Sequence, residues 1–277
     1  MAFFHVSMAN CASTLGHKSF SKQSRKLKGE AMTNSRMFPK VKPWNVLKGC
    51  EHACYMPKGC WAYQLATGRL KGTERYKDGF APRLIEKELK KTFGAKQCIF
   101  VAAMGDLFGE WVPSEWIIRV LDVIKSVGYR NKFLLLTKNP TRYHAYLHRF
   151  SENTILGVTI ETNRNTRMMG LTRAPEPADR YEAMRSLRWK APAPSFTYTP
   201  PNKFVSIEPI IDFDHDILVK WIKDIKPAAV AVGYDNWSCG LPEPELSKTM
   251  NLIEELEKFT EVWRKTLREK RDAWDAR

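Results

Sequence analysis

The sequence predicts an α/β fold built on a parallel sheet, and three observations carry that expectation. Short apolar runs alternate with stretches of helical period along most of the chain. The runs are continuously apolar, as strands covered on both faces are. Each run also ends in polar residues, the pattern of folds that gather their working groups at the C-terminal ends of parallel strands. Six such units fit a partial (βα)6 TIM-like barrel with parallel strands, or an open doubly wound sheet; they are too few for a closed eight-stranded barrel.

The elements follow in order. Residues 44–48 form a short strand leading into a cysteine-rich loop, and 61–70 a short helix. A helix over 82–93 has Pro82 in its first turn and Gly94 as its stop. QCIFVAA (97–103) is a buried strand. Over 113–127, Trp116, Ile117, Val120, Leu121 and Ile124 share one helical face. KFLLLT (132–137) and TILGVTI (154–160) are strands, separated by a helix over 141–150. A helix over 177–187 precedes the Pro-rich connection APAPSFTYTPP. KFVSI (203–207) and AAVAV (228–232) are strands around a helix at 215–225, and a long amphipathic helix over about 244–273 closes the chain.

Composition narrows the class. The chain has 277 residues, 43% of them hydrophobic, which is ample for a core and excludes global disorder. No run of about 18 apolar residues exists, so no membrane partner is expected. The N-terminus lacks the basic region and long apolar block of a secretory signal, and the expected location is cytoplasmic. Formal net charge is +15. Residues 1–43 hold eight basic residues against one acid, Glu30, and residues 1–38 read as a basic, flexible tail ahead of a domain over 39–277. Such a balance favours polyanions, with nucleic acid the natural partner class.

Three of the six cysteines, Cys50, Cys54 and Cys60, fall within eleven residues with spacing C-x3-C-x5-C. In a large chain without an export signal, such a cluster points to metal or redox chemistry more than to disulfides. Three thiolates on one loop suit an iron–sulfur cluster with one iron left open. A structural zinc completed by His52, Cys98 or Cys239, or free structural thiols, are the alternatives. The other strand ends supply Gly105 and Asp106, then Lys138 and Asn139, then Glu161, Thr162 and Asn163, then Glu208, then Asp235, Asn236 and Trp237. Trp44 and Trp61 flank the cysteine loop as its expected shield from water. Cys98 reads as a small hydrophobe in its strand, and His144 and His148 as an exposed helix face.

Those segments carry a resemblance that covers residues 43–240. WNVLKGC with GCWAY looks like the cluster loop of radical S-adenosylmethionine (SAM) enzymes. Together with IFVAAMGDLFGEWVP (99–113), FLLLTKNPTRY (133–143), ILGVTIETN (155–163), FVSIEPI (204–210) and AVAVGYDNWSCG (229–240), it resembles the phage Gp37/Gp68-type family, a radical-SAM-like group. The usual radical SAM spacing is C-x3-C-x2-C; here the second gap is five residues and Gly59 precedes the last cysteine.

The resemblance implies a partial barrel and two cofactors. A [4Fe–4S] cluster would be held by Cys50, Cys54 and Cys60, with SAM chelated to the fourth iron. One electron, from a donor such as flavodoxin or ferredoxin, cleaves SAM to a 5′-deoxyadenosyl radical, which abstracts hydrogen from the substrate. Gly105 and Asp106 would meet the SAM amino group, and Glu161 and Asn163 its ribose. Lys138, Glu208 and Asp235 are the candidate catalytic residues; a buried ion pair between Lys138 and Asp235 is the bland alternative. Two other functions fit the residues: a divalent-metal hydrolase using Asp106, Glu161, Glu208 and Asp235 beside a structural zinc, and a non-catalytic nucleic-acid-binding protein.

Overall fold

The computed structural model describes residues 41–190, 198–199 and 202–269; the expected basic tail over 1–38 lies outside them. The strands are β1 (Val41–Trp44), β2 (Leu47–Lys48), β3 (Arg83–Leu84), β4 (Cys98–Val101), β5 (Lys132–Thr137), β6 (Thr154–Thr159), β7 (Trp189–Lys190), β8 (Tyr198–Thr199), β9 (Asn202–Ile207), β10 (Ala229–Val232) and β11 (Glu261–Arg264). The α-helices are α1 (Trp61–Thr67), α2 (Glu86–Leu89), α3 (Ser114–Val127), α4 (Pro177–Ser186), α5 (His215–Ile225) and α6 (Leu246–Glu257). Pro140–Arg149 is a 3-10 helix.

One seven-stranded sheet organises the chain in the order β1-β4-β5-β6-β9-β10-β11, with every pair parallel. Spatial order follows chain order and never reverses, which decides between the two architectures: a doubly wound sheet needs a reversal, and a singly wound one puts its helices on one face. Packing agrees. Ile99, Val101, Leu135, Val158, Val205, Ile207, Val230 and Val232 share one buried cluster with Ile117, Leu121, Leu218, Ile222, Leu252 and Leu256 of the helices. The alternate strand residues Cys98, Phe100, Leu134, Ile155, Phe204, Ala229 and Ala231 form a second cluster, with no helical residue among its buried members. The result is an open, curled half-barrel, with Cys98 packed as the small hydrophobe expected.

Four expectations need correction. The first strand is split: β1 joins the sheet, whereas β2 pairs antiparallel with β3 in a separate hairpin. That hairpin takes the start of the expected 82–93 helix, with Ile85 N–H donating to the Val46 carbonyl at 2.8 Å and only Glu86–Leu89 helical. The closing helix ends at Glu257. Beyond it Val262 faces the helix-side core and Trp263 packs on the opposite face, 5.2 Å from the Phe204 ring; this two-residue alternation makes β11 the seventh strand. Residues 270–277 lie outside the described ones. Finally, Trp44 sits under the helices against Phe93 and Phe133 rather than beside the cysteine loop. Trp61 is half-buried and follows Cys60 directly, as the first residue of α1.

Candidate functional site

The cysteine loop begins where β1 meets the end of β4. Gly49 and Gly105 form a parallel bridge there. A β-carbon on Gly105 would lie 2.7 Å from Leu47 Cδ2 and 2.8 Å from the Gly49 carbonyl oxygen, so the close approach requires glycine. Further along, Ala53 and Tyr55, on either side of Cys54, have φ of 47° and 64°. Side-chain-bearing residues rarely adopt that conformation, and it persists only where surroundings enforce it.

The surroundings are the neighbouring strand ends. At the first of these, Asp106 is buried and fully engaged. Its Oδ2 meets His52 Nε2 at 2.9 Å and accepts the Lys138 N–H at 2.9 Å, while Oδ1 accepts from Thr137 Oγ1 at 2.6 Å and the Phe108 N–H at 3.0 Å. Burial works to raise its pKa, and the His52 and Thr137 bonds outweigh that and hold it below the usual value. Asp106 thus ties the cysteine loop, through His52, to β5. The segment after β6 grips the loop too: Tyr55 N–H donates to the Leu171 carbonyl at 2.6 Å, Arg173 N–H and Thr172 Oγ1 donate to the His52 carbonyl, and Thr172 Oγ1 lies 3.1 Å from Cys54 Sγ.

At the centre stand Lys138 and Glu161, on the concave side by the two-residue alternation of β5 and β6. Lys138 Nζ donates to Glu161 Oε1, to Tyr55 Oη at 3.0 Å and to Cys54 Sγ at 3.4 Å. Tyr55 Oη donates to Glu161 Oε1 at 2.8 Å, and Arg180 Nη1, from α4, donates to Glu161 Oε2 at 2.5 Å. Glu161 and Arg180 are fully buried. Burial alone would neutralise Glu161; Arg180 and Lys138 reverse that and hold it far below the carboxylate range. Burial also works against the Lys138 charge, and Cys54, Glu161 and Tyr55 outweigh it, so the ammonium titrates well above its usual value.

The loop after β10 closes the other side. Asp235 Oδ1 accepts the Trp237 N–H at 2.9 Å and Oδ2 the Cys239 N–H at 2.5 Å. Cys239 Sγ lies 3.4 Å from the Gly59 carbonyl oxygen, Gln64 Nε2 bridges the Gly59 and Trp237 carbonyls, and Lys58 Nζ donates to the Ser238 carbonyl. The cysteine loop therefore crosses the mouth of the half-barrel, touching segments after β4, β5, β6 and β10.

A family model described as "Protein of unknown function (DUF5131)" matches residues 39–187, over half of the chain. The chain belongs to the DUF5131 family. No curated protein matches the sequence. Among solved structures, a spore photoproduct lyase mutant with dinucleoside spore photoproduct superposes at a TM-score of 0.48 and 13% identity, over 85% of this chain and 65% of that one. A radical SAM methyltransferase from Sphaerobacter thermophilus superposes at 0.43 and 13% identity, over 84% of this chain and 66% of that one. The DUF5131 chain thus covers just under two thirds of the length of each.

In this DUF5131 protein the expected site residues divide into two groups. Cys50, Cys54, Cys60, Gly105, Asp106, Lys138 and Glu161 are brought together by the cysteine loop and its ties. Asn163, Glu208 and Asp235 are spread along the rest of the rim. Asn163 holds Asp214 through 2.8 and 3.2 Å bonds. Lys138 pairs with Glu161, not with Asp235, whose carboxylate accepts two backbone N–H groups of its own loop. Glu208 differs from the other carboxylates: its Oε2 is buried with no hydrogen-bond partner among the described residues, and burial pushes its pKa up to about 7 despite Lys265.

Two participants escaped the sequence. Tyr55 follows a cysteine directly, and adjacency was its only signal. Arg180 sits in a helix with the polarity of an ordinary surface helix, and nothing in the sequence marks it as buried.

The donor set suits a cluster. Among the described residues no three His, Cys, Asp or Glu side chains converge as the ligands of one ion do. A cubane asks for something else, since each thiolate takes a different iron. The three thiols are free and half-buried or buried. Burial pushes the Cys50 and Cys60 thiols up, and Cys54 adds to the rise in both.

Proposed function

We propose that this DUF5131 protein is a radical SAM enzyme whose [4Fe–4S] cluster is held by Cys50, Cys54 and Cys60, acting on a nucleic acid or nucleotide. The observation that carries it is the placement of these thiols on one loop strapped across the C-terminal mouth of a parallel half-barrel. The sequence resemblance to the phage Gp37/Gp68-type, radical-SAM-like group supports it. When bound, cluster and SAM supply one-electron cleavage of a sulfonium and abstraction of a substrate hydrogen atom, the electron coming from a low-potential donor such as flavodoxin or ferredoxin.

The protein's own residues do the positioning. Asp106 and His52 fix the start of the loop, and Gly49 and Gly105 let backbones approach where a side chain would intervene. Lys138, Glu161 and Arg180 form a mostly buried ion-pair group beneath the loop. Asn163 and Asp235 hold the rim loops in shape. Glu208, whose Oε2 has no hydrogen-bond partner among the described residues, is the carboxyl available to meet a substrate. Basic charge in excess over the whole chain suits a polyanionic substrate.

The hydrolase reading fares worse on a specific ground: Asp106 already accepts four protein hydrogen bonds, and Glu161 is held by Lys138, Tyr55 and Arg180. Anaerobic purification tests the proposal. Brown protein with about four irons per chain is expected, and reduced protein given SAM should release 5′-deoxyadenosine. Alanine at any of the three cysteines should remove both. Colourless protein carrying zinc would refute the reading.

A further inference from the structure

We propose that Lys138 is a positioning residue acting through Cys54: its ammonium, locked by the buried Glu161–Arg180 pair, donates to the Cys54 sulfur and makes the cluster held there easier to reduce. This rests on the proposed cluster site and adds a role for a residue that does not itself hold the cluster.

Three observations converge on it. Lys138 has three N–H donors, and all have fixed partners: Glu161 Oε1, Tyr55 Oη at 3.0 Å and Cys54 Sγ at 3.4 Å. The side chain is therefore aimed, not merely nearby. Second, the charge beneath the cysteine loop is unbalanced. Two cations, Lys138 and Arg180, share one carboxylate, Glu161; the Arg180 pair is fully buried and the Lys138 pair mostly so. Buried charge without compensation is costly, so an anion is called for on the remaining side of Lys138. Third, the group on that side is Cys54, whose thiolate would supply this negative charge. Tyr55, with φ of 64°, places its hydroxyl between Lys138 and Glu161 and so fixes the angle of approach.

A hydrogen bond or positive charge at a ligating sulfur stabilises the electron-rich form of an iron–sulfur cluster, raising its potential. The step concerned is the transfer of one electron from a low-potential donor to the oxidised cluster. No bond breaks and no proton moves, so the fixed ammonium directly offsets the added negative charge.

The test is a potentiometric titration, with dithionite and mediators, of the anaerobically loaded full-length protein, read by the EPR signal of the reduced cluster. Lys138→Gln should bind the cluster with a potential lowered by at least a tenfold change in the reduction equilibrium, about 59 mV for one electron. Lys138→Arg should stay within that tenfold. Glu161→Gln should move the potential the other way, because it leaves the ammonium uncompensated. An unchanged potential in Lys138→Gln overturns the inference while leaving the cluster assignment intact. Should Lys138→Gln fail to load, Glu161→Gln decides alone, and a downward or absent shift overturns it. A wild-type protein that takes up no cluster refutes the enzyme assignment itself, and the inference with it.

Discussion

Glu208 shows how one side chain can be read in two directions. It directly follows β9, and other carboxylates of the site, such as Asp106 and Glu161, are engaged by neighbouring donors. Glu208 is not: burial dominates, and its pKa rises from an ordinary 4.5 to about 7. The folded protein therefore binds this proton more tightly than the unfolded chain does. Its stabilising effect is full below pH 4.5 and is lost as pH climbs through about 7. The size follows from the shift: at 1.36 kcal/mol per unit, the group contributes on the order of 3 kcal/mol over that window. Glu208→Gln, which cannot ionise, should flatten the stability profile between pH 5 and 7 and be the more stable form at pH 8. Urea unfolding at several pH values compares the two directly, and parallel profiles would show that Glu208 ionises as an ordinary carboxylate. Activity supplies the second measurement. If the neutral acid meets the substrate, turnover should decline with the same group as pH rises through about 7.

Elements were legible to the extent that local periodicity governs them. Helix α3 and strands β5, β6 and β10 stand where apolar pattern put them, because each has a face or a run that only one geometry buries. Failures cluster where tertiary pairing overrode the local pattern. Residues 83–84 became β3 because Leu47 and Lys48 offered a partner strand, and Glu261–Arg264 became β11 because β10 still had an open edge. Neither partner is visible in a local window. The site shows the same division. Cysteine spacing and strand-end polarity marked most of its residues, whereas Arg180 required knowledge of which way α4 faces. Gly49 allows a sharp test of how the cysteine loop is held. Its φ is +84°, and a β-carbon would lie 2.4 Å from the carbonyl oxygens of Phe80 and Ala81. Backbone atoms have little room to yield, so Gly49→Ala should cost at least about 2 kcal/mol, a left-handed penalty plus the clash. Iron retained per folded chain should fall with it. Gly72→Ala, where a β-carbon meets nothing within 4 Å, is the matched control and should change neither.

For the molecule as a whole, winding order and charge are the two quantities that matter. A sheet whose spatial order never reverses keeps its helices on one face and gathers strand ends at the other face's mouth, so every loop that reaches Cys50, Cys54 or Cys60 comes from one rim. Charge sets what approaches that rim. The chain carries a net +15, and residues 1–43 contribute out of proportion to their length, with Lys18, Lys22, Arg25, Lys26, Lys28 and Arg36 all before residue 39. Binding driven by such charge releases counterions, so affinity should fall steeply with salt, by about 0.7 log units per log unit of salt for each phosphate engaged on a single strand. Full-length protein should bind single-stranded DNA or RNA at low salt with a slope equivalent to several contacts. Deleting residues 1–38 should lower both affinity and slope if the basic segment is engaged, and leave 5′-deoxyadenosine formation intact, because the cysteine loop and its ties all lie beyond it. Fluorescence anisotropy across a salt series measures both quantities. Absence of binding at low salt would remove nucleic acid from the list of substrates, and a slope unchanged by the deletion would instead place the contacts on the half-barrel itself.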